Sequence, residues 1–158
     1  ISGKQGIRMI TGITQDNKKA LTSKAGLSGY TLEEYGTVVM WGVGTPTLEN
    51  SQKHNYAYKK GKADPIFSKA NGMIQYTNVL VGFSLDACKD TLTLRPYIKL
   101  KDMTTGEIVT LYGGCVCRSI YQVAQQNENT YKPGTAGYKY IHEILDYSPT
   151  AEQGGETK

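Results

Sequence analysis

TLTLRPYIKLKD, residues Thr91 to Asp102, decides the fold. Leu92, Leu94, Ile98 and Leu100 fall on one side of a two-residue period, and Thr93, Arg95, Tyr97, Lys99 and Lys101 fall on the other. That is the signature of a half-buried β-strand. Pro96 interrupts it and removes one ladder donor, which predicts an edge position or a bulge.

The pattern continues outward on both sides. GEIVTLYGGCVCR (Gly106 to Arg118) reads as an antiparallel return through a hairpin-length turn at Asp102 to Gly106. MIQYTNVLVGFSL (Met73 to Leu85) alternates well, with a turn at Cys88 to Asp90. EEYGTVVMWGVG (Glu33 to Gly44) is apolar on both faces, as a central strand requires. GIRMITGIT (Gly6 to Thr14) supplies a first strand, with Ile7, Met9 and Ile13 on one face and Arg8 on the other. Lys18 to Leu32 reads as a loop with at most a short helical turn. Thr45 to Lys53 reads as a polar connector, and the loop at Asp64 and Pro65 extends to Gly72.

Helical periodicity enters only late. Ser119 and Gln122 have the spacing of a capping box before Ile120, Val123 and Ala124. After Pro133 and Gly134, Tyr138, Ile141, His142, Ile144 and Leu145 lie at helical spacing. The expected fold class is mostly β: five or six strands in meander order, a β-sandwich-like antiparallel sheet, with one or two C-terminal helices. At 158 residues, with 39% hydrophobic and 20% charged residues, the chain is long and apolar enough for one packed domain. The expected division is a single module over residues 1–147 and a flexible polar linker over 148–158. The start at Ile1 and the polar end GGETK suggest a piece of something larger.

Charge and special residues narrow the chemistry. The net charge of +4 is carried mostly by lysine, with Arg8, Arg95 and Arg118 the only guanidinium groups, so nucleic acid is not the expected partner. Lys53, Lys59, Lys60, Lys62 and Lys69 read as a solvated face. No apolar run approaches the roughly 20 residues that span a bilayer, so no membrane insertion is expected. Three cysteines, Cys88, Cys115 and Cys117, leave at least one thiol unpaired within the chain and lack the spacing of a zinc site. Cys115 and Cys117 lie two apart in an apparent strand, with both side chains expected to point the same way. His54 and His142 are too separated for an acid–base pair. Asp86, Asp90 and Asp102 suit turns. Without a nucleophile beside a base or paired carboxylates, the expectation is no enzyme, no metal and no cofactor.

Aromatic content gives the only positive functional signal. Twelve Tyr against two Phe and one Trp favour rings whose body is packed while the hydroxyl stays wet. A sugar's apolar C–H face stacks on such rings, and nearby amides or carboxylates bind its hydroxyls. Trp41 is the best stacking candidate, although its apolar strand favours core packing. His54, Asn55, Tyr56, Tyr58 and Asp64 form the better exposed group, in the connector.

EYGTVV (Glu34 to Val39), YKKG (Tyr58 to Gly61), RPYIKLKD (Arg95 to Asp102), LYGG (Leu111 to Gly114) and RSIYQVAQQ (Arg118 to Gln126) together carry a resemblance. The chain resembles a β-rich module repeated in large secreted or surface-attached proteins of Gram-positive gut Firmicutes, over about Gly6 to Gln126. The resemblance implies an extracellular, noncatalytic module beside carbohydrate-binding, catalytic or anchoring neighbours. The cysteines depart from it mildly, and Asn127 to Tyr147 lies outside it. The resulting expectation is a monomeric module that binds a polysaccharide or glycan, starch-like α-glucan first. The other reading is a structural spacer or adhesion module making protein–protein contacts. Among the shared positions, Glu34, Arg95 and Arg118 are expected to form guanidinium–carboxylate ties that steady the fold.

Overall fold

The structure is a computed structural model and describes residues 5–14, 30–57, 68–70 and 73–149. Its strands are β1 (Gln5–Thr14), β2 (Tyr30–Trp41), β3 (Gln52–Ala57), β4 (Ser68–Ala70), β5 (Met73–Phe83), β6 (Leu92–Asp102), β7 (Ile108–Tyr112) and β8 (Val116–Arg118). Two helices follow, α1 (Ile120–Gln126) and α2 (Ala136–Leu145). The fold is therefore β-rich and antiparallel, with helices near its C-terminal end.

Contacts divide the chain into two compact units. One, the sheet unit, comprises residues 7–80 and 91–117; the other, the helical unit, comprises 1–6, 81–90 and 118–158.

The sheet unit holds a five-stranded sheet ordered β3-β2-β6-β7, with β8 also on β6, and a three-stranded sheet ordered β1-β5-β4. This is not the expected meander. β2 pairs along its length with β6, from Tyr30 opposite Asp102 to Trp41 opposite Leu92, and β5 between them in sequence joins the other sheet. Alternation shows that a strand exists, but its partner depends on which apolar faces meet in space.

The two sheets meet on alternate residues. Tyr35 of β2 and Tyr76 of β5 stack tilted, 4.9 Å between centroids. The Tyr76 hydroxyl donates to the Gly36 carbonyl at 2.9 Å, and Thr37 Oγ1 donates to Asn78 Oδ1 at 2.9 Å. Leu100 packs in the same cluster. Thr37, Asn78 and the Tyr76 hydroxyl, buried between the sheets, thus find hydrogen-bond partners there.

The opposite face of the five-stranded sheet is also covered. Residues 42–51, overlapping the connector read from sequence at Thr45 to Lys53, form a loop with Pro46 buried. Leu48 N–H donates to the Tyr112 hydroxyl at 3.0 Å, and Arg95 Nη1 reaches the Pro46 carbonyl at 3.4 Å. Asn50 braces the loop from within, accepting from Thr47 N–H at 2.7 Å and donating to the Thr45 carbonyl at 3.2 Å. This cover corrects the half-buried reading of β6, because Thr93 and Tyr97 on its polar side are as buried as Leu92 and Leu94 on the other.

Pro96 is neither at an edge nor in a bulge, since β6 lies between β2 and β7. The reading of 106–118 as one strand fails at the same place: β7 ends at Tyr112 and β8 begins at Val116. The Pro96 carbonyl accepts from Gly113 N–H at 2.9 Å, so the imide nitrogen faces the same side, into the break between β7 and β8. The Gly113 carbonyl, which such a donor would have served, accepts instead from Arg95 Nε at 2.9 Å.

In the helical unit, both halves of the predicted capping box form: Ser119 Oγ accepts from Gln122 N–H at 3.0 Å, and Gln122 Oε1 accepts from Ser119 N–H at 2.9 Å. Thr135 caps α2 through Tyr138 N–H at 3.2 Å. Ile120 and Ala124 of α1 and Ile141 and Ile144 of α2 are buried, the stripes their spacing predicts. A short 3-10 turn at Asp86–Lys89 buries Cys88. Asp86 accepts from the Tyr147 hydroxyl at 2.6 Å, and the Tyr140 hydroxyl accepts from Gly6 N–H at 3.0 Å.

Candidate ligand-binding face

Trp41 is the last residue of β2, and it is not in the core. Its apolar neighbours Val38 and Val39 are buried, but at the strand's exit the indole is 53% exposed. The core reading is corrected for a simple reason: strand alternation continues to Trp41, whereas the cover over the sheet does not. Beyond it, Val43 is 81% exposed.

The Trp41-Gly42-Val43 tip is held by main-chain bonds. Gly42 N–H donates to the Thr91 carbonyl at 2.7 Å, and the Gly42 carbonyl accepts from Thr93 Oγ1 at 2.6 Å. Gly42 has φ +78°, in the left-handed region that costs an L-residue roughly 1–2 kcal/mol. Thr93 also contacts Cys117, Oγ1 to Sγ at 3.3 Å. The buried Thr93 hydroxyl thus fixes the tip, a role invisible in the sequence because Thr93 looked like an outward strand residue. An aromatic face held on a rigid strand end meets a flat ligand with little ordering cost.

His54, Asn55 and Tyr56 do not lie in a connector but on β3, at the edge of the five-stranded sheet. Residues 52–57 contain Lys53, His54 and Asn55 and resemble no strand by propensity, yet β2 offers them an unpaired edge, and ladder pairing wins. His54 pairs opposite Thr37 and Tyr56 opposite Tyr35, whereas Asn55 pairs opposite Gly36. Trp41 is four residues along β2 from Thr37, roughly 13 Å at strand rise. Tyr58 and Asp64 lie outside the described residues.

Tyr131 and Tyr140, both exposed, belong to the helical unit, and Tyr138 is half-buried there, stacked on His142 at 4.1 Å between centroids. His142 Nδ1 lies 3.2 Å from Asp146 Oδ2, an exposed contact within one helical turn.

The remaining candidates serve the fold. Arg95 is tied, but not to a carboxylate: its Nε donates to the Gly113 carbonyl at 2.9 Å, its Nη1 reaches Pro46, and its guanidinium lies 4.4 Å from the Tyr112 ring centre. Glu34 accepts from the Tyr97 hydroxyl. Burial first, and then this carboxylate, raise the Tyr97 phenol well above its ordinary value. Burial pushes the Tyr76 phenol up to about 12. Asp102 Oδ1 accepts from Thr104 N–H at 2.8 Å and Thr105 N–H at 3.2 Å, and these bonds hold its carboxyl below the usual range.

The three cysteines are thiols. Cys88 is buried, which raises its pKa; Cys117 is half-buried; Cys115 is exposed in the β7–β8 break rather than in a strand. Among the described residues no group of three or more His, Cys, Asp or Glu could hold a metal, and no helix is long and apolar enough to cross a membrane. Comparison with protein-family models, with curated proteins and with solved structures found no match.

Proposed function

We propose that this chain is a noncatalytic extracellular module of a bacterial surface protein that binds carbohydrate, with Trp41 as its stacking platform. The reading rests on one observation above others: a half-exposed indole at a strand end whose next residue is pinned by two short hydrogen bonds. Large amphipathic rings on rigid backbone give contact area at low entropic cost, and a sugar ring offers a matching apolar face. His54, Asn55 and Tyr56 lie on β3 of the same sheet and are residue types that hydrogen-bond sugar hydroxyls. Tyr58 and Asp64 extend this group in sequence.

Affinity electrophoresis and calorimetry against starch, cellulose, xylan, mucin and host glycans test the reading, with starch-like α-glucan expected first. Binding should fall at least tenfold in Trp41→Ala with no change in melting temperature. Wild type that binds none of the panel, or a Trp41→Ala variant that binds as wild type does, would reject it.

A spacer or adhesion role is the second reading, and a different surface favours it. On the three-stranded sheet, Ile10 of β1 and Val79 of β5 are about half exposed. Changing both to Thr should abolish capture of a protein partner under that reading and leave glycan binding unchanged.

A further inference from the structure

We propose that β7 is a pairing edge for a second copy of this chain, two β7 strands joining antiparallel about a two-fold axis through Thr110. The direction of the β7 backbone groups follows from its two ends. Asp102 N–H donates to the Glu107 carbonyl at 2.8 Å, and Gly113 N–H donates to the Pro96 carbonyl at 2.9 Å. Residues 107 and 113 therefore face β6, as do 109 and 111 at the strand period. Ile108, Thr110 and Tyr112 turn their N–H and C=O groups the other way, and among the described residues none of those groups has a partner.

Such an edge is usually blunted by a charge, a proline or a bulge. IVTLY has none of these, and Ile108 and Leu111 are both about half exposed. The opposite edge, β3, carries Lys53.

The sequence also suits self-pairing. About a two-fold axis at Thr110, Ile108 meets the partner's Tyr112, Val109 meets the partner's Leu111, and Thr110 meets itself. Aromatic with β-branched, aliphatic with aliphatic and Thr with Thr are all favourable cross-strand pairs. A two-fold axis brings charges near it against their own copies, and β7 carries none. Its neighbour Glu107 would meet the partner's Gly113. The open groups at 108, 110 and 112 form about six main-chain hydrogen bonds in this register. The joined sheet has four strands from each copy along its path, within the roughly ten that an open sheet supports. Each copy brings its own Trp41, which would raise apparent affinity for a polymer. The sequence points to a monomer because edges are a property of topology, not of residue pattern.

One strand pair is smaller than a standard interface, so the dimer should dissociate on the order of 10–100 μM. Sedimentation equilibrium of the full chain should therefore approach twice the 17.4 kDa chain mass as concentration rises. Thr110→Glu places two carboxylates at the axis while leaving Lys99 opposite within the chain. Thr110→Pro deletes only an outward N–H, which an edge strand tolerates. Each should weaken association about tenfold or more with an unchanged circular dichroism spectrum. In wild type, exchange of the amides at 108, 110 and 112 should slow with concentration, a readout independent of how the variants fold. A wild type that stays monomeric near 1 mM, about ten- to a hundredfold above such a constant, would overturn the proposal. So would a folded variant that associates like wild type, or exchange at those amides that ignores concentration.

Discussion

Arg95 shows how a charged residue can be structural without an ionic partner. Its guanidinium joins the β7–β8 break, through Gly113, to the covering loop, through Pro46, and rests on Tyr112. Arg95→Ala removes those bonds and leaves two carbonyls in a half-covered space, so it should cost about 2 kcal/mol. A melting point lowered by roughly 5 °C or more would show it; an unchanged one would remove the role. Gly113 is the second such residue. A Cβ there would lie 2.7 Å from Pro96 Cγ, so Gly113→Ala should cost about 1–3 kcal/mol. In a Pro96→Ala background most of that cost should vanish, and a double-mutant cycle in urea measures the coupling. In the sequence Arg95 and Gly113 are 18 residues apart, and their relation appears only once β6 and β7 pair. Trp41 was legible as the aromatic to watch. Its exposure was not, because valines on both sides of it mimic a core strand.

Elements with local signals were legible, and those built by distant pairing were not. The α1 cap is written in Ser119 and Gln122 alone. Ser119→Ala should therefore cost about 1 kcal/mol in urea titration, and Gln122→Ala less. The turn after β6 is similarly local, since Asp102 bonds the amides two and three residues on. Its carboxyl titrates below its unfolded value, so its contribution is present above the unfolded pKa and is lost as pH falls through the folded one. Wild type should lose stability on acidification more steeply than Asp102→Asn, as paired urea titrations down the acid range would record. By contrast, β3 carries no periodic signal, and it forms because the Glu34–Val39 edge of β2 recruits it. The His54, Asn55 and Tyr56 group was found as residues but misplaced as a loop for that reason.

At the scale of the molecule, the buried phenols set an alkaline limit. Tyr76 is raised from 10.0 to about 12 and Tyr97 is raised further, mainly by burial between covered faces. In the unfolded chain both ionise first, so the stability they lend is whole below pH 10 and drains away as pH rises through the folded values. Tyrosinate absorbance should therefore rise in step with loss of the sheet spectrum, and Tyr76→Phe should uncouple part of that rise. Fold class followed from periodicities that survive in any topology; strand order did not, because Pro96 and the 42–51 loop take their meaning from neighbours far along the chain. Trp41 is the sole tryptophan, and that gives the protein an intrinsic lamp. Its emission should be red-shifted and readily quenched by iodide in the native state. A stacked sugar should move it to the blue and shield it, so the one ring assigned to binding would report occupancy without a label.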